Sequence, residues 1–150
     1  MTKDKFNEVI DFAVDGEKEA VTFYQDLQKK VKFSAQKEML KELENMEKGH
    51  IIILENIRSR GTQEVTVKEV TDLHISDYLI DVKPYDEMDY QDILIVAMKR
   101  EEKAQKLYTN MAKQYTGTEL EKIFLKLASE EAAHKLQFET LYDDHVLKEN

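Results

Sequence analysis

The chain of 150 residues contains no cysteine and only one proline, Pro84. Without a thiol it can form no disulfide, no thiolate zinc site and no iron–sulfur cluster. Scarce proline together with 35% charged residues favours long solvated helices over a sheet protein punctuated by turns. Basic residues are outnumbered, 22 against 31 acidic ones, for a net charge of −9. That balance argues against nucleic acid or an anionic membrane as a partner, because both attract basic surface. Long apolar runs are missing too. Ile51–Leu54 and Ile93–Met98 are far too short to span a bilayer. The opening Met1-Thr2-Lys3-Asp4-Lys5-Phe6 is polar and leads into no apolar stretch, so no signal peptide is expected. A single cytoplasmic domain, long enough to bury a substantial core, is the expectation.

What the chain does have is one pattern written twice at a single constant offset. Ala13, Glu17, Ala20 and Tyr24 precede Glu47 and His50; Ala97, Glu101, Ala104 and Tyr108 precede Glu131 and His134 with the same spacing throughout. Glu55 and Glu139 continue the series. Glutamate makes up 19 of the 150 residues, so a Glu three before a His is common by chance. The shared offset and the matching Ala/Glu/Ala/Tyr frame are not.

Helical periodicity marks four long segments. The first runs from about Lys5 to Lys32, with Phe6, Val9, Ile10, Ala13, Glu17, Ala20, Tyr24 and Leu27 on one broad face. The second runs from about Ser34, a candidate N-cap, to Arg60, with Gly61 just beyond. The third begins near Met88–Asp89 and ends near Thr116. The fourth opens with Thr118 and Glu121, spaced as a capping box, and runs to about Leu147. Two helical hairpins are therefore expected within one domain, residues 5–60 and 88–147, joined by a crossover over 62–87. With one long crossover between helices two and three, the fold class is an all-α, ferritin-like four-helix bundle.

Glu47 and His50 are one helical turn apart and share a face, as do Glu131 and His134. Glu17 and Glu101 sit mid-helix among alanines that leave room for an ion. Four carboxylates converging in a core require compensating positive charge, and two divalent ions supply it. Oxygen and imidazole ligands without sulfur suit iron or manganese, with zinc as a substitute. The expected ligands are Glu17, Glu47, His50, Glu101, Glu131 and His134, with Glu47 and Glu131 bridging. Glu17 and His50 would complete one ion, and Glu101 and His134 the other. Tyr24 and Tyr108, two turns from the helix glutamates, are either aromatic core or hydrogen-bond partners of a ligand carboxylate. Glu55, Glu139, His74 and His145 are expected at the surface, and the methionines in the core.

These residues resemble the rubrerythrin branch of the ferritin-like superfamily, whose helix signatures are similar to Gly16-Glu17-Lys18-Glu19-Ala20, Glu47-x2-His50 and Ser129-Glu130-Glu131-x2-His134. The resemblance implies a non-haem di-iron centre, oxidised by hydrogen peroxide or dioxygen and re-reduced. Two departures stand out. A rubredoxin-like domain is expected to be absent, since there is no cysteine, so electrons would come from a separate donor protein. The family also places a further glutamate three residues after the third-helix ligand, where this chain has Ala104.

The expected function is therefore a di-iron oxidoreductase, with a ferroxidase or iron-handling protein, or a non-enzymatic metal-binding bundle, as alternatives. Ile51–Leu54 and Ile93–Val96 are apolar nearly all round their helices, which points to a homodimer.

Overall fold

The computed structural model of the protein describes residues 3–60 and 89–149. It contains four α-helices: α1 (Lys3–Lys30), α2 (Ser34–Arg60), α3 (Tyr90–Gln114) and α4 (Glu119–Glu149). No strand occurs among the described residues. The expected crossover over 62–87, with His74, lies outside them, as does Gly61.

The helices pack in sequential pairs, α1 with α2 and α3 with α4, the hairpins an all-α four-helix bundle requires. The chain divides into two compact units, Met1–Ile75 and Ser76–Asn150, one hairpin in each. Both hairpins are antiparallel. Asp11, near the start of α1, pairs with Arg58 near the end of α2, whereas Gln25 and Gln28 further along α1 meet Glu44. In the second unit Gln91 meets Tyr142, and Tyr108 stacks on Phe124 at a centroid distance of 6.4 Å.

Each helix buries the face its periodicity marked. Phe6, Val9, Ile10, Ala13, Phe23, Tyr24 and Leu27 are buried on α1, and Leu40, Leu43, Leu54 and Ile57 on α2. Charges at the ends suit the helix dipoles: Asp4 opens α1, and Lys29 and Lys30 close it.

The ends differ in detail from the expectation. The Lys37 N–H already bonds to the Phe33 carbonyl at 3.1 Å, so the cap of α2 is Phe33 and not Ser34. Asp89 caps α3 by accepting from the Asp92 N–H at 2.8 Å. Thr118 does not act as the capping-box acceptor; its hydroxyl donates to the Tyr115 carbonyl at 2.6 Å, while the Glu121 N–H bonds to the Thr118 carbonyl. The turn between α3 and α4 depends on Gly117, which has φ +84°, a left-handed conformation that glycine alone adopts freely. Burial of Tyr115 in this turn pushes its phenol up to about 12.

Three further expectations need correction. Met111 is buried, but Met46 is 39% exposed, so the methionines are not uniformly core. His145 is not simply solvent-facing: it is half-buried and meets the Tyr90 ring edge-on at 5.0 Å. Of the apolar runs, Ile93, Leu94 and Val96 are buried, and Ile52 is exposed.

Candidate metal centre

Each hairpin brings together a carboxylate from its first helix with a carboxylate and an imidazole from its second. In the first unit Glu17 comes from α1, and Glu47 and His50 from α2, one turn apart. His50 Nδ1 lies 3.6 Å from Glu17 Oε2 and 3.9 Å from Glu47 Oε2. In the second unit Glu101 comes from α3, and Glu131 and His134 from α4. His134 Nδ1 lies 3.5 Å from Glu101 Oε2 and 4.0 Å from Glu131 Oε2. The two triads thus repeat the same geometry, and in both the ring turns Nδ1 toward the carboxylates. Within each triad the ligand atoms lie within 4.8 Å of one another.

These separations exceed those of hydrogen bonds. They match neighbouring ligands on one ion: two atoms each ~2.1 Å from a metal at a near-tetrahedral angle are ~3.4 Å apart. None of the six residues is more than 3% exposed. Two carboxylates placed so close in a low-dielectric interior repel one another and are costly to desolvate. A bound cation removes both penalties, so the donor set fits a metal. Small residues beside the triads, Ala13, Ala20 and Ala97, are themselves buried. Ala104 is half-buried and offers no ligand.

Tyr24 and Tyr108 are almost completely buried. Tyr24 meets Phe23 edge-on at 5.8 Å, and its backbone carbonyl accepts from Gln28. Glu55 is exposed and Glu139 pairs with Lys135 at 3.7 Å, away from the triads.

Two buried charged residues were not anticipated. Arg100, beside Glu101 on α3, is 9% exposed; its counterpart in the first half of the repeat is Gly16. Glu44 is 1% exposed, one turn before Glu47. Lys48 Nζ lies 2.7 Å from its Oε2 and Lys41 Nζ 3.3 Å from the same oxygen. Gln25 donates to Oε2 at 3.1 Å and Gln28 to Oε1 at 2.9 Å. Burial works to raise the carboxyl, but the four donors outweigh it and hold Glu44 down at about 2. The second hairpin has no such cluster: the equivalent positions hold Thr109, Ala112, Leu125, Ala128 and Ala132. The available signal was a glutamate inside an apolar stripe, with lysines three before and four after it.

Residues 92–150 match the family model for rubrerythrin. That segment contains Glu101, Glu131 and His134, so the resemblance read from the sequence holds over the second hairpin. Among solved structures, a hypothetical protein from Pyrococcus furiosus is similar to the chain, with a TM-score of 0.67 and 25% identity. The likeness covers 92% of this chain and 88% of that one, and so takes in both hairpins. No curated protein matches the chain. Among the described residues, no helix is long and apolar enough to cross a membrane.

Proposed function

We propose that the two triads together hold a pair of iron ions, and that the protein reduces hydrogen peroxide or dioxygen with electrons from a separate donor protein. The duplicated triad carries this reading: two buried carboxylates and one imidazole Nδ1, converging alike in both hairpins. The rubrerythrin match over residues 92–150 supports it.

One triad alone offers three protein ligands. Glu17, Glu47 and His50 would hold one ion, and Glu101, Glu131 and His134 the other. Oxygen and nitrogen donors without sulfur suit iron or manganese. When bound, the iron pair would supply two electrons, which split hydrogen peroxide to water or take dioxygen to peroxide.

The protein groups do the rest. The four carboxylates would offset the positive charge of the bound ions in either redox state. The imidazoles of His50 and His134, packed and nearly inaccessible, would fix the position of each ion. Burial of the whole set keeps bulk water from competing for open positions. The buried Tyr24 and Tyr108, two turns from Glu17 and Glu101, would each place a hydroxyl to orient a ligand carboxylate.

Ala104 favours a second reading. Without the further carboxylate that the family resemblance places there, the centre has four glutamates and two histidines, which suits oxidation of Fe(II) as substrate.

Reconstitution under argon with ferrous salt, followed by peroxide or air, tests the proposal. The expected result is two irons per chain and about one peroxide consumed per iron pair. One iron per chain at saturation, or a reduced protein inert to both oxidants, overturns it. If excess Fe(II) is instead turned over continuously with no added reductant, the ferroxidase reading is the correct one.

A further inference from the structure

Two preferences of helix ends are broken at the same place, the tip where α1 gives way to α2. Phe33 occupies the cap of α2 and is 62% exposed, although a cap calls for a short polar side chain that accepts from the first turn. The first turn of α2 holds no acidic residue and closes with Lys37, although the start of a helix is its positive end and favours anions. Local rules give way like this where a surface serves something other than folding.

The charges at the tip itself have one sign. Residues 29–37 contain Lys29, Lys30, Lys32 and Lys37 and no acid, and all four lysines are exposed. Asp26 and Glu38 stand just outside the run. Lys29 and Lys30 suit the negative end of α1. That reason does not extend to Lys37, at the positive end of α2. In a chain of net charge −9, four lysines in sequence without an acid among them are an exception.

The internal repeat provides a control. The matching residues of the second hairpin, 113–121, hold one lysine, Lys113, against Glu119 and Glu121. Gly117 stands in the place of Phe33, Thr116 in that of Lys32 and Glu121 in that of Lys37. The first turn of α4 has the acids that the dipole favours. One tip follows the rules for a stable helix start and the other does not. Neither a helical hairpin nor a metal triad, which both halves have, requires the difference.

An exposed aromatic ring among cations has the composition of a contact surface. The ring supplies apolar area, and the charges steer the approach and fix the register. The complement of such a surface is acidic. A membrane or a nucleic acid presents negative charge over a wide area, which would also face the exposed Asp4, Glu8, Asp11 and Asp15 of α1. A peptide segment can touch the tip alone.

We propose that the tip of the first hairpin docks an acidic segment of another protein, with Phe33 against an apolar residue of that segment and Lys29, Lys30, Lys32 and Lys37 facing its carboxylates. This does not depend on the metal reading and can fail or hold separately from it.

Fluorescence anisotropy with the full chain tests it, the probe being a labelled poly-glutamate peptide with one central leucine. An oligonucleotide and phosphatidylserine vesicles are the other arms. The peptide is expected to bind at low salt, more tightly than either of these, and to weaken as salt rises. Replacing all four lysines by glutamine is expected to weaken it about tenfold or more, whereas Lys113→Gln leaves it unchanged. Two variants separate docking from folding. Phe33→Ser improves the cap and Lys37→Glu suits the dipole, so each keeps or raises the melting temperature while it lowers affinity for the peptide. Binding that ignores salt, survives the four replacements, or is tighter to the oligonucleotide or the vesicles overturns the proposal. A melting temperature that falls in Phe33→Ser or Lys37→Glu does so too, since these side chains would then be engaged within the chain. So does a wild-type mass above 17.6 kDa that drops to it when the lysines are replaced, since the occupant would then be a second copy.

Discussion

The Glu44 cluster gives the sharpest quantitative prediction. Replacing Glu44 by glutamine keeps the shape of the side chain but removes the charge. It also turns an NH2 group toward donors that need an acceptor: the amides of Gln25 and Gln28 and the ammonium groups of Lys41 and Lys48. The carboxyl ionises at about 2 in the folded protein against 4.5 for an ordinary glutamate. A shift of that size is worth about 3 kcal/mol at ~1.4 kcal/mol per unit. Both lysines are half-exposed, so water and salt screen part of the attraction. The expected loss for Glu44→Gln at pH 7 is therefore about 2–3 kcal/mol.

The pH dependence follows from which state takes up the proton first. As pH falls, Glu44 of the unfolded chain protonates around 4.5 while that of the folded protein stays ionised to about 2. The stabilisation is complete above the unfolded value, declines between 4.5 and about 2, and is gone below. Urea denaturation of wild type and Glu44→Gln, both in chelator and at a series of pH values, measures the difference directly. Contributions from the metal triads cancel in the comparison. A gap under about 0.5 kcal/mol at pH 7, well below the screened value, or one that persists unchanged at pH 2, would refute the account. Ala128→Glu puts a carboxylate at the matching place in the second hairpin, where Ala112, Leu125 and Ala132 replace the donors; it should destabilise.

Gly117→Ala should cost about 1–2 kcal/mol in thermal or urea unfolding. The cost comes from backbone conformation alone, since a methyl there meets no atom within 4 Å although φ is +84°. Gly16→Ala in the interior of α1 meets no atom either and should stabilise by up to about 1 kcal/mol; opposite signs for this pair are the check. Glu101→Ala should lower the metal bound per chain in anaerobic calorimetry with Fe(II) and diminish the rise in melting temperature that metal gives the wild type. Glu17→Ala should do the same, because its triad has the same geometry. Full stoichiometry in either variant would remove that residue from the ligand set.

The fold was legible because its signals are long and periodic. The second helix was expected over Ser34–Arg60 and is found over those residues, and the hairpins followed from the short links between helices. The caps were harder to read. Ser34 and Thr118 are both good capping residues, but which hydroxyl accepts and which donates depends on turn geometry that composition does not encode. The ligands stood out because each is a charge inside an apolar stripe and each occurs twice. Glu44 sits in a similar stripe, yet among 19 glutamates it looks ordinary until Gln25 and Gln28 arrive from α1, 19 and 16 residues away. The exposure of Ile52 was equally hidden. Ile51–Leu54 and Ile93–Val96 are alike as sequence, and packing alone decides that most of the second run is buried and part of the first is not.

The internal repeat separates what packing needs from what chemistry needs. Most buried apolar positions have changed identity between the two halves: Phe23, Leu27, Leu40 and Leu54 correspond to Leu107, Met111, Phe124 and Phe138. A core tolerates such exchanges as long as volume and apolarity are roughly kept. The ligand positions have not changed at all: glutamate at 17 and 101, glutamate at 47 and 131, histidine at 50 and 134. If these carboxylates merely filled space in the interior, leucine or glutamine would be cheaper to bury and aspartate equally frequent by drift. Aspartate is one methylene shorter and would withdraw its oxygens from the shared point, which matters only if the point is occupied by something that sets distances. The unrepeated features, Glu44 with its four donors and Arg100, answer needs that one hairpin has and the other lacks. The repeated ones answer a need common to both, and a cation within reach of each triad is the need that their chemistry fits.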